Sequence, residues 1–306
     1  MHYVIGDVHG CYDEMMQLIH KIERKDEEAQ FIFVGDLVDR GPKVWQTLEW
    51  AMEHITKDGK YQSVLGNHEA LILDWYSEFT AWWNKRDLER DAQMEPMPET
   101  SYDFSRWMDA MNMLTPKNLE PIIDFFRSLP YFKKLDIQSA YGKSVTFRIV
   151  HAWYNYNLEE DSDEQKQCNL WERNYWGNYA NDEIIVHGHT PTFDRDYLLR
   201  GAYEDAPGMI CYRPRAINVD GGCCFQNGSY DCPYMLGAIC LETLEEIYPY
   251  TLEERLFRLI EAGVHNRSWE KEVIEEYCKV CLEEYHTFHV KKVRARREDM
   301  LKQMGK

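Results

Sequence analysis

The chain has 306 residues, enough for one large domain or two ordinary ones. Hydrophobic residues make up 44% of it and aromatic residues 14%, which supports a sizeable core, yet no apolar run approaches the ~20 residues of a membrane helix. With 53 acidic against 35 basic residues the formal charge is −18, a surface that repels nucleic-acid backbones and anionic lipid and excludes both as expected partners. No basic-then-apolar leader precedes the first strand, and the nine cysteines are irregularly spaced, as expected of a cytoplasmic protein with reduced thiols.

Short β-rich runs alternate with helical segments, which predicts an α/β fold. YVI (3–5) reads as a strand, and residues 11–24 as a helix with Met15, Leu18, Ile19 and Ile22 on one face. FIFV (31–34) is a strand, and Pro42 is expected to open the next helix, where its missing N–H is harmless. SVL (63–65) is a strand. Residues 69–130 read as a helical insertion rich in Trp, Tyr and Met, broken around Pro96 and Pro98. VTFRIV (145–150), EIIV (183–186), AINV (216–219) and YMLGAICLE (234–242) are strands, and from about residue 251 the chain is helical. Within that last part a stripe of Val273, Ile274, Tyr277, Cys281, Tyr285 and Phe288 predicts a helix packed on the domain. The Cys278-Cys281 pair lacks a second pair and reads as small buried side chains, and the basic cluster 291–297 as the solvated last turns of a helix.

The residues at the carboxyl ends of the strands are more telling than the strands. YVI runs into Gly6-Asp7-Val8-His9, FIFV into Gly35-Asp36, SVL into Gly66-Asn67-His68, FRIV into His151, and EIIV into His187-Gly188-His189. Alone, an Asp or Asn after a strand is a turn former or helix cap. Five apolar runs that each end in a metal-ligating residue type are better explained by one site, because parallel sheets bind ligands beyond the carboxyl ends of their strands. The donors are oxygen and nitrogen, without thiolate.

GDVHG (6–10), GDLVDRG (35–41), GNHE (66–69), VHA (150–152) and GHTP (188–191) resemble the five blocks of the metallophosphoesterase superfamily. GDLVDRG and GNHE are closest to its phosphoprotein-phosphatase branch, whose bacterial and phage members include lambda-type phosphatases and symmetrical diadenosine-tetraphosphatase-like proteins. The resemblance runs from residue 6 to about 222. It implies a β-sandwich flanked by helices over residues 1–250, with the helical insertion at 69–130 and a helical extension at 251–306.

The resemblance also implies two divalent ions, Mn²⁺ first, with Fe or Zn²⁺ as alternatives. Asp7, His9 and Asp36 would hold one, and Asp36, Asn67, His151 and His189 the other. His68, oriented by Asp39, would protonate the leaving group, and Arg40, Arg173 and Asn67 would bind phosphate. His187 would stand behind the ligands. Trp153, where relatives carry a small or acidic residue, either narrows the site or packs on the sheet edge, and Tyr154 and Tyr156 are further rings for stacking. The leading expectation is a phosphatase of phosphoserine and phosphothreonine proteins, or small phosphoesters, using water activated by the ions. The alternative is a dinucleoside polyphosphate hydrolase. A non-enzymatic phosphate-binding module is a third reading, weakened because metal ligands, His68 and Asp39 are all present.

Overall fold

Alternation along the strands divides the core into layers. Tyr3, Ile5, Phe31 and Phe33 pack on one side of the first sheet, and Val4 and Ile32 on the other. That sheet contains β1 (His2–Ile5), β2 (Gln30–Phe33) and β3 (Tyr61–Ser63), all parallel, with β9 (Ala238–Cys240) antiparallel beside β1 and β10 (Glu246–Ile247) antiparallel beside β9 at the edge. The second sheet has the order β4 (Phe132–Gln138), β5 (Ser144–Val150), β6 (Glu183–His187), β8 (Ala216–Asn218), β7 (Cys211–Arg213). Its three inner strands are parallel and its two edges antiparallel. Phe147, Ile149, Val186 and Ile217 meet Val4 and Ile32 across the interface, which makes the molecule an α/β sandwich. The computed structural model describes residues 1–86, 96–99, 104–173, 182–192, 208–225, 233–264, 279, 282–283 and 291–306.

Helices cover the first sheet. In α1 (Tyr12–Glu23) the expected stripe of Met15, Leu18, Ile19 and Ile22 is buried. Helix α2 begins at Val44 rather than at Pro42. Asp39 and Arg40 have φ near +67° and +66°, so the chain is still in a left-handed turn just before the proline. The insertion forms α3 (Asn67–Arg86), α4 (Phe104–Ala110) and α5 (Pro116–Ser128), whose Phe79, Phe104 and Phe126 join the main core. The expected break falls at 96–99, where Trp75 Nε1–H donates to the Pro98 carbonyl.

Helices α6 (Asp163–Trp171) and α7 (Leu252–Val264) precede α8 (Lys291–Gln303). Within the described residues the basic cluster 291–297 lies in the earlier turns of α8 and not in its last ones. Arg296 and Arg297 donate to the carbonyls of Tyr212 and Leu244, at 3.2 and 2.6 Å. These bonds dock the helix so that Met300, Leu301 and Met304 enter the inter-sheet core. The stripe from Val273 to Phe288 and the Cys278-Cys281 pair lie outside the described residues, and no disulfide joins the six described cysteines. No described helix is long and apolar enough to cross a membrane.

The outer face of the second sheet is held by a buried arginine. Arg148 Nε–H donates to Glu183 Oε2 at 2.8 Å, and its guanidinium carbon lies 3.8 Å from the Tyr154 ring centroid. Burial pushes the Glu183 pKa up, but hydrogen bonds from Arg148 and Lys134 outweigh it and hold the carboxyl at about 2, below its ordinary 4.5. A depressed carboxylate stabilises the fold above the unfolded value and loses that contribution as pH falls through the folded one. Glu183→Gln is therefore expected to cost about 2 kcal/mol at pH 7, a figure already reduced for solvent screening. In urea denaturation the gap from wild type should narrow below pH 4.5 and close near pH 2. A gap that stayed constant would assign the loss to packing instead.

Candidate functional site

Every parallel strand of both sheets releases a polar residue at its carboxyl end, and these ends meet. Asp7 and His9 follow β1, Asp36 follows β2, Asn67 and His68 open α3 just after β3, His151 follows β5, and His189 follows β6. All seven are buried. Two groups of side chains there have donor atoms within 4.8 Å of one another: His9, Asp36 and His68, and Asp7, Asp36 and His151. Asp36 belongs to both. Its Oδ2 lies 3.3 Å from His9 Nε2 and its Oδ1 lies 3.5 Å from His151 Nε2. The structure thus gathers Asp7, His9, Asp36, His68 and His151 around one point.

The backbone is bent to make this possible. His9, Asp36, Asp39, Arg40 and His189 all have positive φ, between +44° and +67°. Such conformations cost free energy for residues with a side chain and persist where the surroundings over-determine them, as functional sites do. At Gly188 an added Cβ would collide with the Asp7 carboxylate, so the chain needs glycine there.

Backbone carbonyls fix two of the rings. His9 Nδ1–H donates to Val38 O at 2.8 Å, and His151 Nδ1–H donates to Val34 O at 2.9 Å. Each Nε2 lone pair is therefore turned into the site, the arrangement that prepares an imidazole to ligate a cation. Asn67 Oδ1 lies 2.7 Å from His151 Nε2 and 2.9 Å from His189 Nδ1, and those two nitrogens are 3.2 Å apart. Such separations suit donors sharing one cation's shell at about 2.0–2.2 Å. Asp39 Oδ1 and His189 Nε2, both at this site, are buried without a hydrogen-bond partner among the described residues. The donor set fits divalent cations: oxygen and imidazole donors held at close quarters, without thiolate.

Electrostatics separate the four histidines. Burial pushes His9 to about 3 and His189 to about 2, and it also lowers His151, against the pull of Asp36; these rings are neutral, the form that ligates. Burial opposes charge on His68 too, but Asp36 and a 2.7 Å bond to Asp39 Oδ2 prevail and raise it. Burial would raise Asp36, yet His151, His68 and His9 overcome it and hold the carboxyl below the usual range. Asp7 is pushed well up by burial and by the Asp220 and Asp36 carboxylates. Three buried carboxylates in one place are a demand for cations.

Arg40 Nη2 lies 3.0 Å from His68 Nε2, and its charge opposes that of the ring. Arg173 Nη1–H donates to Thr190 Oγ1 at 3.2 Å, and its charge acts on His151 and His189. Both arginines border the donor cluster. His187 stands apart: its ring meets Trp153 edge-on at 5.5 Å and its Nδ1–H donates to Gly188 O at 3.1 Å. Trp153 is only 2% exposed, so the packing reading of that ring holds and the stacking reading does not. Tyr154 and Tyr156 are likewise committed, to Glu160 and Glu183 beside Arg148.

The sequence left two members of the site unassigned. Glu69 accepts from the backbone N–H groups of Asp36, Leu37 and Gly66 at 2.8–3.0 Å, and so shapes the turn that carries the shared aspartate. Asp220 follows β8, a sixth parallel strand end, and its buried carboxyl is pushed up to about 7, chiefly by burial, with Arg40 and Arg173 among the charges around it. A further donor group, Cys11, Glu14 and Cys223, is also buried, but there Arg255 Nη1 sits 2.8 Å from Glu14 as a built-in cation.

Known proteins share this arrangement of blocks. A symmetrical bis(5'-nucleosyl)-tetraphosphatase of Pasteurella multocida is 40% identical over 205 residues, 67% of this chain and 57% of that protein. An asymmetrical bis(5'-nucleosyl)-tetraphosphatase of Halalkalibacterium halodurans is 25% identical over 245 residues, 72% and 85% of the two chains. A symmetrical enzyme of Neisseria gonorrhoeae is 40% identical over 72 residues, 24% of this chain and 25% of that one, so the match spans about a quarter of that relative's length. Among solved structures, a metallophosphoesterase from Sphaerobacter thermophilus superposes with a TM-score of 0.44 at 15% identity, covering 89% and 96% of the chains. A serine/threonine phosphatase from Saccharomyces cerevisiae gives 0.37 at 14% identity, covering 71% and 65%. Scores this low leave the assignment to the sequence. The profile of the calcineurin-like phosphoesterases matches residues 3–217, a span that contains every strand-end donor expected from the sequence, and the chain belongs to that family.

Proposed function

We propose that this phosphoesterase hydrolyses dinucleoside polyphosphates of the bis(5'-nucleosyl) tetraphosphate type. One observation carries the choice: both the symmetrical and the asymmetrical relatives are named for that substrate. The phosphoprotein expectation draws its support from the LWERN (170–174) and GHTP (188–191) blocks, which resemble the lambda-type enzymes, while GDLVDRG and GNHE serve either substrate.

In this reading Asp7, His9 and Asp36 hold one cation, and Asp36, Asn67, His151 and His189 hold the other. Divalent cations bound there supply Lewis-acid stabilisation of phosphate oxygens and an activated water. Asp36, common to both donor groups, would serve both positions. Arg40 and Arg173, with Asn67, orient phosphate oxygens, the arginines through planar forks that match them. Asp39 holds His68 at Nδ1, so that Nε2 faces the leaving oxygen and passes it a proton.

The test compares specificity constants for diadenosine tetraphosphate and for a set of phosphoserine, phosphothreonine and phosphotyrosine peptides at one ionic strength. The tetraphosphate is expected to lead by about a hundredfold, the scale on which binding-site contacts separate substrates. Chelation should abolish both activities and Mn²⁺ should restore them. Peptides turned over faster than the tetraphosphate would overturn the substrate assignment, and full activity in metal-free protein would overturn the cation assignment.

A further inference from the structure

Among the described residues three large apolar side chains are exposed: Met1, Trp171 and Phe225. Two of them flank the site. Trp171 closes α6, two residues before Arg173, and its ring stands edge-on to His189 with 6.1 Å between centroids. Phe225 lies five residues after Asp220, and the Arg40 guanidinium carbon lies 5.3 Å from its ring centroid. The Trp171 ring is 40% exposed and the Phe225 ring 36%. Single exposed rings are common on protein surfaces. Here each of the two arginines at the site has one beside it.

A groove of about 590 Å³ opens beside Trp171, bordered by Asp163, Glu164, Gln167 and Asn155. Its carboxylates repel phosphate. They accept hydrogen bonds from N–H groups, such as the exocyclic amine of a nucleobase. The phosphates are drawn to the arginines and the cation ligands, which leaves this groove to an uncharged, flat, amine-bearing group. We infer that Trp171 and Phe225 are stacking platforms for the two bases of a dinucleoside polyphosphate, one beside each arginine. The inference rests on the dinucleoside polyphosphate reading above and deepens it. Stacking is tolerant of base identity, since every base presents a flat π-face.

Trp171→Ala and Phe225→Ala test this on the intact chain. Both side chains are exposed, so both variants are expected to fold. Each should lower kcat/KM for diadenosine tetraphosphate by roughly 5- to 100-fold, the loss carried by one base–aromatic stack. Inorganic tripolyphosphate, which carries no ring to stack, should lose at least about fivefold less than diadenosine tetraphosphate, any loss common to both reporting the contacts with Arg40 and His189. Trp171→Phe should recover most of the loss, because it keeps a ring. Equal losses on diadenosine tetraphosphate and on tripolyphosphate would overturn the platforms, as would unchanged tetraphosphate hydrolysis in both variants. A wild-type protein that left diadenosine tetraphosphate intact would overturn the reading beneath them, and that result is visible before any variant is made.

Discussion

Asp36→Asn is expected to lower phosphoester hydrolysis by roughly 10³-fold or more, since cation stabilisation of charge is worth several kcal/mol and each 1.36 kcal/mol is tenfold in rate. The fold should survive. Asparagine keeps Oδ1, which accepts the His68 backbone N–H at 3.0 Å. What disappears is the negative charge faced by His9, His68 and His151. Because both donor groups contain Asp36, metal analysis of the purified variant should find both cations weakened. Asp7→Asn, outside the His9–Asp36–His68 group, should leave more metal bound. Two tightly held ions in Asp36→Asn would show that the residue does not bridge. The same electrostatics predict that loading the wild type with Mn²⁺ raises its melting temperature. Cations held as proposed around Asp36 would stabilise the native state and not the unfolded chain, which lacks the assembled donor groups.

The strand-end donors were legible because each sits next to its own apolar run, so local sequence was enough. Asp220 follows the AINV strand in the same way, but Gly221-Gly222 after it reads as an ordinary turn. Glu69 lies in the first turn of α3, where an acid is explained by the helix dipole alone. Only the fold brings it against the amides of Asp36 and Leu37. The i, i+2 spacing of His187 and His189 predicts one shared side. His189 instead adopts φ near +66°, which breaks the alternation and separates the rings. Trp153 is the converse case. It is two residues from His151 in sequence, yet it packs on His187 away from the cations' donors. The unforeseen strands are β4, whose exposed lysines blur its pattern, and β7 and β10, of three and two residues. Such short edges are set by their neighbours more than by their own composition.

His68→Asn should separate substrates by their leaving groups. His68 is fully buried, its Nδ1–H donates to Asp39 Oδ2 at 2.7 Å, and Asp36 and Asp39 together favour its charged form over the cost of burial. A proton delivered from Nε2 matters in proportion to the basicity of the oxygen that departs. Simple alkyl phosphates release a strongly basic alkoxide, and for them the variant should lose about 10²–10⁴-fold, the usual worth of general-acid catalysis. p-Nitrophenyl phosphate releases a stable phenolate and should lose much less. Diadenosine tetraphosphate should resemble the nitrophenyl ester, because its leaving group is a nucleotide phosphate whose second pKa lies near 6. Asp39→Asn should reproduce the same ordering with smaller losses, since the ring stays in place but loses the charge that supports its proton. The double variant should be no worse than His68→Asn alone, because Asp39 acts through His68 and effects along one hydrogen-bonded pair are not additive. Equal losses on all three substrates would make His68 a binding residue, and an additive double variant would give Asp39 a separate task.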